Sequence, residues 1–260
     1  MNSDTPPARP PLAYRNEAFL DSADARPIRI LAEYLAPLQS FRRARICDTV
    51  VFFGSARLAS GGPLGRYYDD ARELARLLTL WAKSLGHDRS RFTVCTGGGP
   101  GIMEAANRGA AEAGGTTIGL NIGLPHEQRP NAYITPGLSI EFRYFFMRKL
   151  WFAHLARALV VFPGGYGTMD ELLEVLTLAQ TGKLARRIPI VLYGPEFWNE
   201  VVNFDALVRH GMIDADDLRL FQFADDPGTA MRILKTELES APADEMPAIA
   251  RSRTNPIPYD

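Results

Sequence analysis

Short apolar runs in this 260-residue chain alternate with helical segments, and three of the runs end directly in glycine-bearing turns at residues 54–57, 97–101 and 164–168. Apolar strands that alternate with helices are typical of a parallel sheet covered on both faces. In such a sheet the strand-to-helix turns lie at one edge, where ligands of these folds bind. We therefore predict an α/β fold, a Rossmann-like doubly wound parallel sheet with helices on both faces, and expect the three turns to meet.

The apolar periodicity places the individual elements and the domain limits. It predicts strands over residues 46–53, 92–95, 116–121, 158–162, 188–193 and 218–223, and a loop over 123–137. It predicts helices over residues 28–38, 67–85, 102–113, 142–155, 169–180, 197–210 and 229–238. Proline-rich ends complete the scheme: we predict a mobile N-terminal tail over 1–25, one domain over 26–240 that starts with a leading helix at 26–45, and a C-terminal tail over 241–260.

Charge and cysteine content exclude several classes of function. Lysine and arginine number 29 against 30 acidic residues, a net charge of −1 that provides no global field for binding nucleic acid or an anionic membrane. We find no apolar run long enough to span a membrane and no signal peptide. Cys47 and Cys95 have no metal-ligand spacing and are predicted to be core residues in a reducing compartment. We accordingly expect a cytoplasmic protein with no metal, no cofactor, no nucleic-acid partner and no membrane partner.

The glycine turns favour a phosphorylated ligand. A helix N-terminus offers free N–H groups and the positive end of the helix dipole, and glycine lets a phosphate approach the backbone. Tight turn geometry alone is the alternative reason for glycine at these positions. The P-loop and esterase-elbow motifs are absent, and the dinucleotide fingerprint fails at Ile102, so a P-loop nucleotidase, an esterase and an NAD enzyme are disfavoured.

Several polar residues near the turns have two interpretations each. Glu171 follows Thr168 by three residues, which fits either a helix-capping box or a carboxylate that contacts the sugar of a bound nucleotide. Arg148 and Lys149 could supply opposing positive charge or form a solvated helix face. Glu104 and Asn107 could bind a ligand or be exposed. The aromatic segment 142–152 is predicted to be core or dimer interface, with a surface that stacks on a nucleotide base as the alternative.

The motifs around these residues resemble one family. Residues 163–171 read PGGYGTMDE and match the PGGxGTxxE signature of the "lonely guy" (LOG) family, the cytokinin riboside 5′-monophosphate phosphoribohydrolases. The likeness extends to TGGGPGIME at 96–104, GSAR at 54–57 and MRK at 147–149, and it spans roughly residues 45–240.

The resemblance implies a Rossmann-like homodimer, or an assembly of dimers, that hydrolyses the N-glycosidic bond of a nucleoside 5′-monophosphate to free base and ribose 5-phosphate. Its catalytic pair carries over to Arg148 and Glu171. Its substrate- and phosphate-binding residues carry over to the matching segments as Gly54, Ser55, Gly98, Gly99, Gly101, Met103, Glu104, Lys149, Gly164, Gly165, Gly167 and Thr168.

Three departures point to a longer bacterial subgroup. Glu104 replaces a small residue, the helix before the signature strand is more aromatic than in the short plant members, and both termini are extended. The expected substrate is thus a cytokinin nucleotide or AMP, as for an AMP nucleosidase. The label "lysine decarboxylase-like", often given to such proteins, conflicts with the absence of a lysine from the three glycine turns. The alternative function is a non-catalytic nucleotide-binding or carrier protein of the same fold.

Overall fold

A seven-stranded parallel sheet forms the centre of the protein. The computed structural model describes residues 10–86, 90–123, 129–184 and 186–240. Within these ranges the strand order is β4-β3-β2-β1-β5-β6-β7, and every neighbouring pair is parallel. The strands are β1 (Thr49–Phe53), β2 (Thr93–Thr96), β3 (Thr117–Ile122), β4 (Ser139–Phe142), β5 (Ala156–Val161), β6 (Ile190–Tyr193) and β7 (Phe221–Ala224). This confirms the predicted fold class.

The strand order places a topological switch point at β1 and β5. After β1 the chain adds strands outward on one side as far as β4. It then returns to β5 on the other side of β1 and adds strands outward to β7. The helices that diverge from β1 and β5 open a crevice beyond the carboxyl ends of these two strands. The turns after β1 and β5 are two of the three glycine turns.

Helices cover both faces of the sheet. They are α1 (Glu17–Asp21), α2 (Arg26–Arg43), α3 (Gly65–Ser84), α4 (Ile102–Glu112), α5 (Phe145–Leu155), α6 (Tyr166–Gln180), α7 (Pro195–Val201), α8 (Phe204–Arg209) and α9 (Pro227–Ser240), with 3₁₀ helices at Ala13–Arg15 and Ala215–Leu220. No helix in the described ranges is both long and apolar enough to cross a membrane.

The core consists of two apolar clusters, one on each side of the sheet. Successive residues of a strand point to opposite faces. Val50 and Phe52 pack with α3, α4 and α9, whereas Val51 and Phe53 pack with α2, α5 and α6. Cys47 and Cys95 are buried free thiols, as predicted.

Three predicted elements differ from the structure. The strand predicted over 218–223 is a 3₁₀ helix up to Leu220 and becomes strand β7 only from Phe221. The region predicted as loop followed by helix contains an edge strand, β4, which the sequence hides because its alternate residues Ser139 and Glu141 face solvent. The helix predicted over 197–210 is two helices, α7 and α8, because Asn203 adopts a non-helical conformation and its side chain accepts a hydrogen bond from Ala206 N at 2.9 Å to cap α8.

The N-terminal segment has more local structure than the predicted tail. Within residues 10–25, Asn16 caps α1 by accepting a hydrogen bond from Phe19 N at 3.2 Å. Arg29 in α2 donates to the carbonyl oxygens of Leu20 and Ser22 and so attaches this segment to the domain. The remainder of the predicted N-terminal tail, residues 1–9, and the predicted C-terminal tail over 241–260 lie outside the described residues. The domain limits stay a prediction.

Candidate functional site

The three glycine turns meet at the predicted edge of the sheet, around one pocket. Its volume of about 590 Å³ lies in the range usual for small-molecule sites. The lining residues are Phe53, Gly54, Ser55, Ala56, Arg57, Gly97, Met103, Arg148, Phe152, Gly165, Tyr166, Gly167, Thr168, Met169 and Glu171. The pocket lies beyond β1, β2 and β5, at the switch point of the sheet.

Backbone hydrogen bonds fix the turns relative to one another. Ser55, in the turn after β1, donates its N–H to Pro163 O at 3.0 Å, and its carbonyl accepts from Ile102 N at 3.1 Å. Gly101 has a φ of +70°, and a Cβ there would lie 2.3 Å from Ser55 O. The first turn therefore contacts both others so closely that only glycine fits at position 101.

The third turn leads into the N-terminus of α6 at the pocket wall. The helix begins at Tyr166, with Gly165 as N-cap and no side-chain cap. Gly165, Tyr166 and Gly167 line the pocket, so the positive end of the α6 dipole is adjacent to it. Gly164 lies behind this wall, where a Cβ would be 2.1 Å from Thr168 Oγ1.

Glu171 is a buried carboxylate in the wall of this pocket. The capping-box interpretation is wrong, because α6 starts before Thr168 and places Glu171 in its second turn. The residue is 5% exposed, and its Oε1 accepts no hydrogen bond from the described residues. Burial raises its pKa from 4.5 to about 7, against the opposing effect of Lys149 and Arg148. A carboxylate with this pKa exchanges protons near neutrality.

Arg148 faces Glu171 from α5. Its Nη2 lies 3.7 Å from Glu171 Oε1, an ion pair too long to be a hydrogen bond. The guanidinium lies 5.3 Å from the ring centre of Phe145 and 5.7 Å from that of Phe152, which hold it by cation–π contact. Burial lowers the pKa of Arg148 despite the charges of Glu171 and Asp170. Arg148 and Glu171, two oppositely charged groups, thus share a poorly solvated site without a hydrogen bond between them.

Lys149 lies behind the pocket rather than in its wall. Its Nζ binds Asp170 Oδ2 at 2.8 Å and Glu174 Oε2 at 2.7 Å, and lies 3.8 Å from Glu171 Oε2. The residue therefore holds α6 against α5 and places a positive charge beside the far oxygen of Glu171. Among the described residues that line the pocket there is no lysine.

The pocket includes some of the predicted binding residues and leaves out others. Gly54, Ser55, Met103, Gly165, Gly167 and Thr168 line it, whereas Gly98, Gly99, Gly101, Glu104, Lys149 and Gly164 do not. Glu104 accepts a hydrogen bond from Tyr68 of α3 at 2.9 Å. Asn107 is fully buried, so of its two interpretations the exposed face is wrong.

Sequence reasoning did not place the pocket residues Phe53, Arg57, Phe152 and Met169 among the binding residues, although Arg57 belongs to the first glycine turn and Phe152 to the aromatic segment. Only Phe152 gave a usable signal, since it lies one helical turn from Arg148. Within the described part of the chain, no group of three or more His, Cys, Asp or Glu residues is arranged to hold a metal ion.

Fold and pocket together define a Rossmann-like α/β protein whose pocket lies at the switch point of a parallel sheet. The family model described as "Possible lysine decarboxylase" matches residues 103–234. Cytokinin riboside 5′-monophosphate phosphoribohydrolase LOG of Oryza sativa subsp. japonica is 31% identical over 201 residues, which cover 75% of each chain. The corresponding LOG4 protein of Arabidopsis thaliana is 29% identical and covers 80% of this chain and 88% of its own.

The X-ray structure of the structural-genomics target TM1055 has the same fold. It superposes with a TM-score of 0.50 at 24% identity and covers 73% of this chain and 99% of its own. The family model and the 31% identity to the rice protein show that the chain belongs to the family of possible lysine decarboxylases that includes the LOG proteins.

Proposed function

We propose that this protein hydrolyses the N-glycosidic bond of a nucleoside 5′-monophosphate and releases free base and ribose 5-phosphate. The observation that carries the proposal is the pair of Glu171 and Arg148 in one pocket, 3.7 Å apart without a hydrogen bond between them. Glu171 is buried, and the side chain of Arg148 is 14% exposed. A purely structural ion pair in so buried a place is expected to close to hydrogen-bond distance, since burial of unsatisfied charge is costly. The names of the similar plant proteins support the same reaction.

The phosphate binds at the N-terminus of α6. Gly165, Tyr166 and Gly167 bring backbone N–H groups to the pocket wall, and the helix dipole adds positive potential there. A phosphate held at this end leaves the ribose within the pocket, towards Glu171, which lies one turn further along the same helix. Thr168, which is buried in the first turn, contributes to the shape of this subsite.

Glu171 and Arg148 act on the two sides of the bond that breaks. As C1′–N cleavage proceeds, the electron pair leaves with the base and positive charge develops on the ribose, which a carboxylate stabilises. A water molecule adds to C1′, Glu171 accepts its proton, and that proton passes to the departing base. Arg148 stabilises the negative charge on the leaving base or on the phosphate, and it remains protonated throughout.

The substrate class that we propose includes cytokinin nucleotides and AMP. A volume of about 590 Å³ leaves room for a purine with a substituent beyond the nucleotide itself. We place the protein in the cytoplasm, in keeping with two buried free thiols.

We also propose a homodimer that forms through α5 and α6. Phe145, Phe146 and Leu150 on α5, and Tyr166 and Leu173 on α6, are large apolar residues that are exposed in the single chain. Tyr166 is the extreme case at 93% exposure, and it borders the pocket. Exposed apolar patches of this kind mark protein contacts. Light scattering on the purified protein and on Leu173→Glu tests this assignment, with a shift from dimer to monomer as the expected result.

The activity is tested with a panel of nucleoside 5′-monophosphates: AMP, GMP, CMP, UMP and isopentenyladenosine monophosphate. Free base is measured by chromatography for the wild type and for Glu171→Gln. Base release by the wild type that the variant loses is the expected result, and the best substrate of the panel defines specificity. Binding of a nucleotide without release of base from any of them would refute the enzyme and favour a nucleotide-binding or carrier protein.

A further inference from the structure

The first half of the glycine turn, residues 97–99, has no side chain of its own that could fix its position. Gly98 has a φ of +75°, where the backbone is free to adopt several conformations without cost. Yet Gly97 lines the pocket, and a Cβ on it would lie 2.8 Å from Met103 Sδ and 4.0 Å from Arg148 Nη1. The pocket wall beside Arg148 therefore depends on something outside the turn.

Asn131, in the segment that precedes β4, makes the missing contacts. Its backbone N–H donates to Gly98 O at 2.8 Å. Its side-chain Nδ2 lies 3.1 Å from Gly98 O, 3.0 Å from Gly99 O and 3.0 Å from Asn107 Oδ1. Its Oδ1 accepts from Tyr133 N at 3.1 Å, which fixes the orientation of the amide.

A buried polar network completes the support. Asn107, fully buried in α4, also accepts from Thr96 Oγ1 at 2.7 Å and donates to Ile118 O at 3.3 Å. Thr96 Oγ1 in turn accepts from Gly98 N at 2.9 Å. The N–H of Gly98 is thereby satisfied by Thr96 at the end of β2, and its carbonyl oxygen by Asn131. Such networks define one conformation when each member is paired.

We infer that Asn131 is a positioning residue of the nucleotide pocket, which holds the 97–101 turn against Arg148 without touching substrate itself; this inference rests on the proposed function. The carbonyl of Gly98 and the N–H of Gly99 belong to one trans peptide bond and point in opposite directions. Because the carbonyl points to Asn131, the N–H of Gly99 points away from it.

Loss of the Asn131 amide removes the side-chain bond to Gly99 O and leaves Gly98 O with the backbone bond from Asn131 alone. The effect falls on nucleotide binding, because Gly97 lines the pocket. The ion pair of Arg148 with Glu171 and its ring contacts with Phe145 and Phe152 do not involve the turn, so kcat is kept.

Thr135 provides a matched control in the same segment. Its Oγ1 accepts from Thr117 N at 2.9 Å and its N–H donates to Thr117 O at 3.2 Å, so it attaches the segment to β3 and not to the glycine turn. Thr135→Val removes one anchoring bond of the segment. Asn131→Ala removes the side-chain bonds to the turn and to Asn107 and keeps the backbone bond to Gly98 O. A general loosening of the segment affects both variants equally.

The test measures kcat and KM for base release from AMP, and the Kd for AMP by calorimetry, in the wild type and both variants. We expect Asn131→Ala to raise KM and Kd about tenfold with kcat within twofold, and Thr135→Val to leave all three within twofold. Partial unfolding gives a different pattern, because it lowers the active fraction and hence kcat while KM stays constant. If Asn131→Ala does not fold, Asn131→Ser retains one donor and is expected to show an intermediate rise.

Three outcomes overturn the inference: unchanged KM and Kd in Asn131→Ala, equal increases in the Thr135→Val control, or no binding of AMP to the wild type. Failure of the proposed function has a separate signature. If the wild type binds AMP but releases no base, hydrolysis is refuted, while the Kd values still decide whether Asn131 positions the pocket.

Discussion

Replacement of Glu171 by glutamine should make the fold more stable at alkaline pH while it abolishes the proposed hydrolysis. The carboxylate is buried, and its Oε1 accepts no hydrogen bond from the described residues. Glutamine has nearly the same shape and carries no charge, so it imitates the protonated acid at every pH. The variant thus removes the cost of a buried charge and the reactive group together.

The magnitude follows from the pKa of Glu171. Folding raises it from 4.5 to about 7, so the folded state binds the proton more tightly than the unfolded state. The stability due to this proton is fully present below pH 4.5 and is lost as the pH rises through about 7. At about 1.4 kcal/mol per pH unit, the loss amounts to about 3 kcal/mol above pH 7. For a domain of this size that corresponds to roughly 6–12 °C in Tm.

The assay is thermal or urea unfolding of the wild type and Glu171→Gln between pH 4.5 and 8.5. We expect the stability difference in favour of the variant to grow across this window by about 3 kcal/mol. Glu200→Gln, which removes an exposed carboxylate on α7, serves as control and should show no such trend. A stability difference between the two proteins that is independent of pH, or a variant that is less stable at pH 8, would refute the assignment of Glu171 as a buried acid with a raised pKa.

Three further predictions concern the same pocket. The kcat/KM for base release should rise with pH along an acidic limb with its midpoint near 7, because the reaction needs ionised Glu171; a decrease over that range would assign it as a general acid instead. Arg148→Lys should lower kcat/KM about 100-fold, since lysine cannot reproduce the planar contacts with Phe145 and Phe152, whereas Arg143→Lys on the exposed surface should leave steady-state kinetics unchanged. Gly101→Ala should lower the free energy of unfolding in urea by about 1–3 kcal/mol more than Gly137→Ala does. Both glycines have positive φ, but of the two only Gly101 has a backbone oxygen, that of Ser55, 2.3 Å from the added Cβ. Equal losses in the two variants would contradict the close contact with Ser55.

The sequence predicted those parts of the fold that depend on local pattern. Apolar strands and glycine turns give strong periodic signals, so the parallel sheet and the meeting of the turns followed from them. Strand β4 was missed because an edge strand with Ser139 and Glu141 facing solvent lacks the apolar run of its neighbours. The break between α7 and α8 was missed because it depends on the cap made by a single residue, Asn203.

The sequence predicted the proposed catalytic pair but not which neighbouring side chains reach or support the pocket. Arg148 and Glu171 were singled out through the motifs, and the structure places them together in one pocket. Lys149 is adjacent to Arg148 in sequence, yet the helix turns it away from the pocket. Asn131 gave no signal, because its contacts with Gly98 and Asn107 join residues that are 33 and 24 positions apart and exist only in the folded chain.

The most direct test of the account measures both products from one nucleotide. Purified wild type and Glu171→Gln are incubated with the best nucleotide of the panel, free base and ribose 5-phosphate are quantified, and the Kd of each protein for that nucleotide is determined. The account predicts equimolar base and ribose 5-phosphate from the wild type, neither product from the variant, and comparable Kd values for the two proteins. Undiminished product formation by Glu171→Gln, or tight binding by the wild type with no product at all, would contradict it.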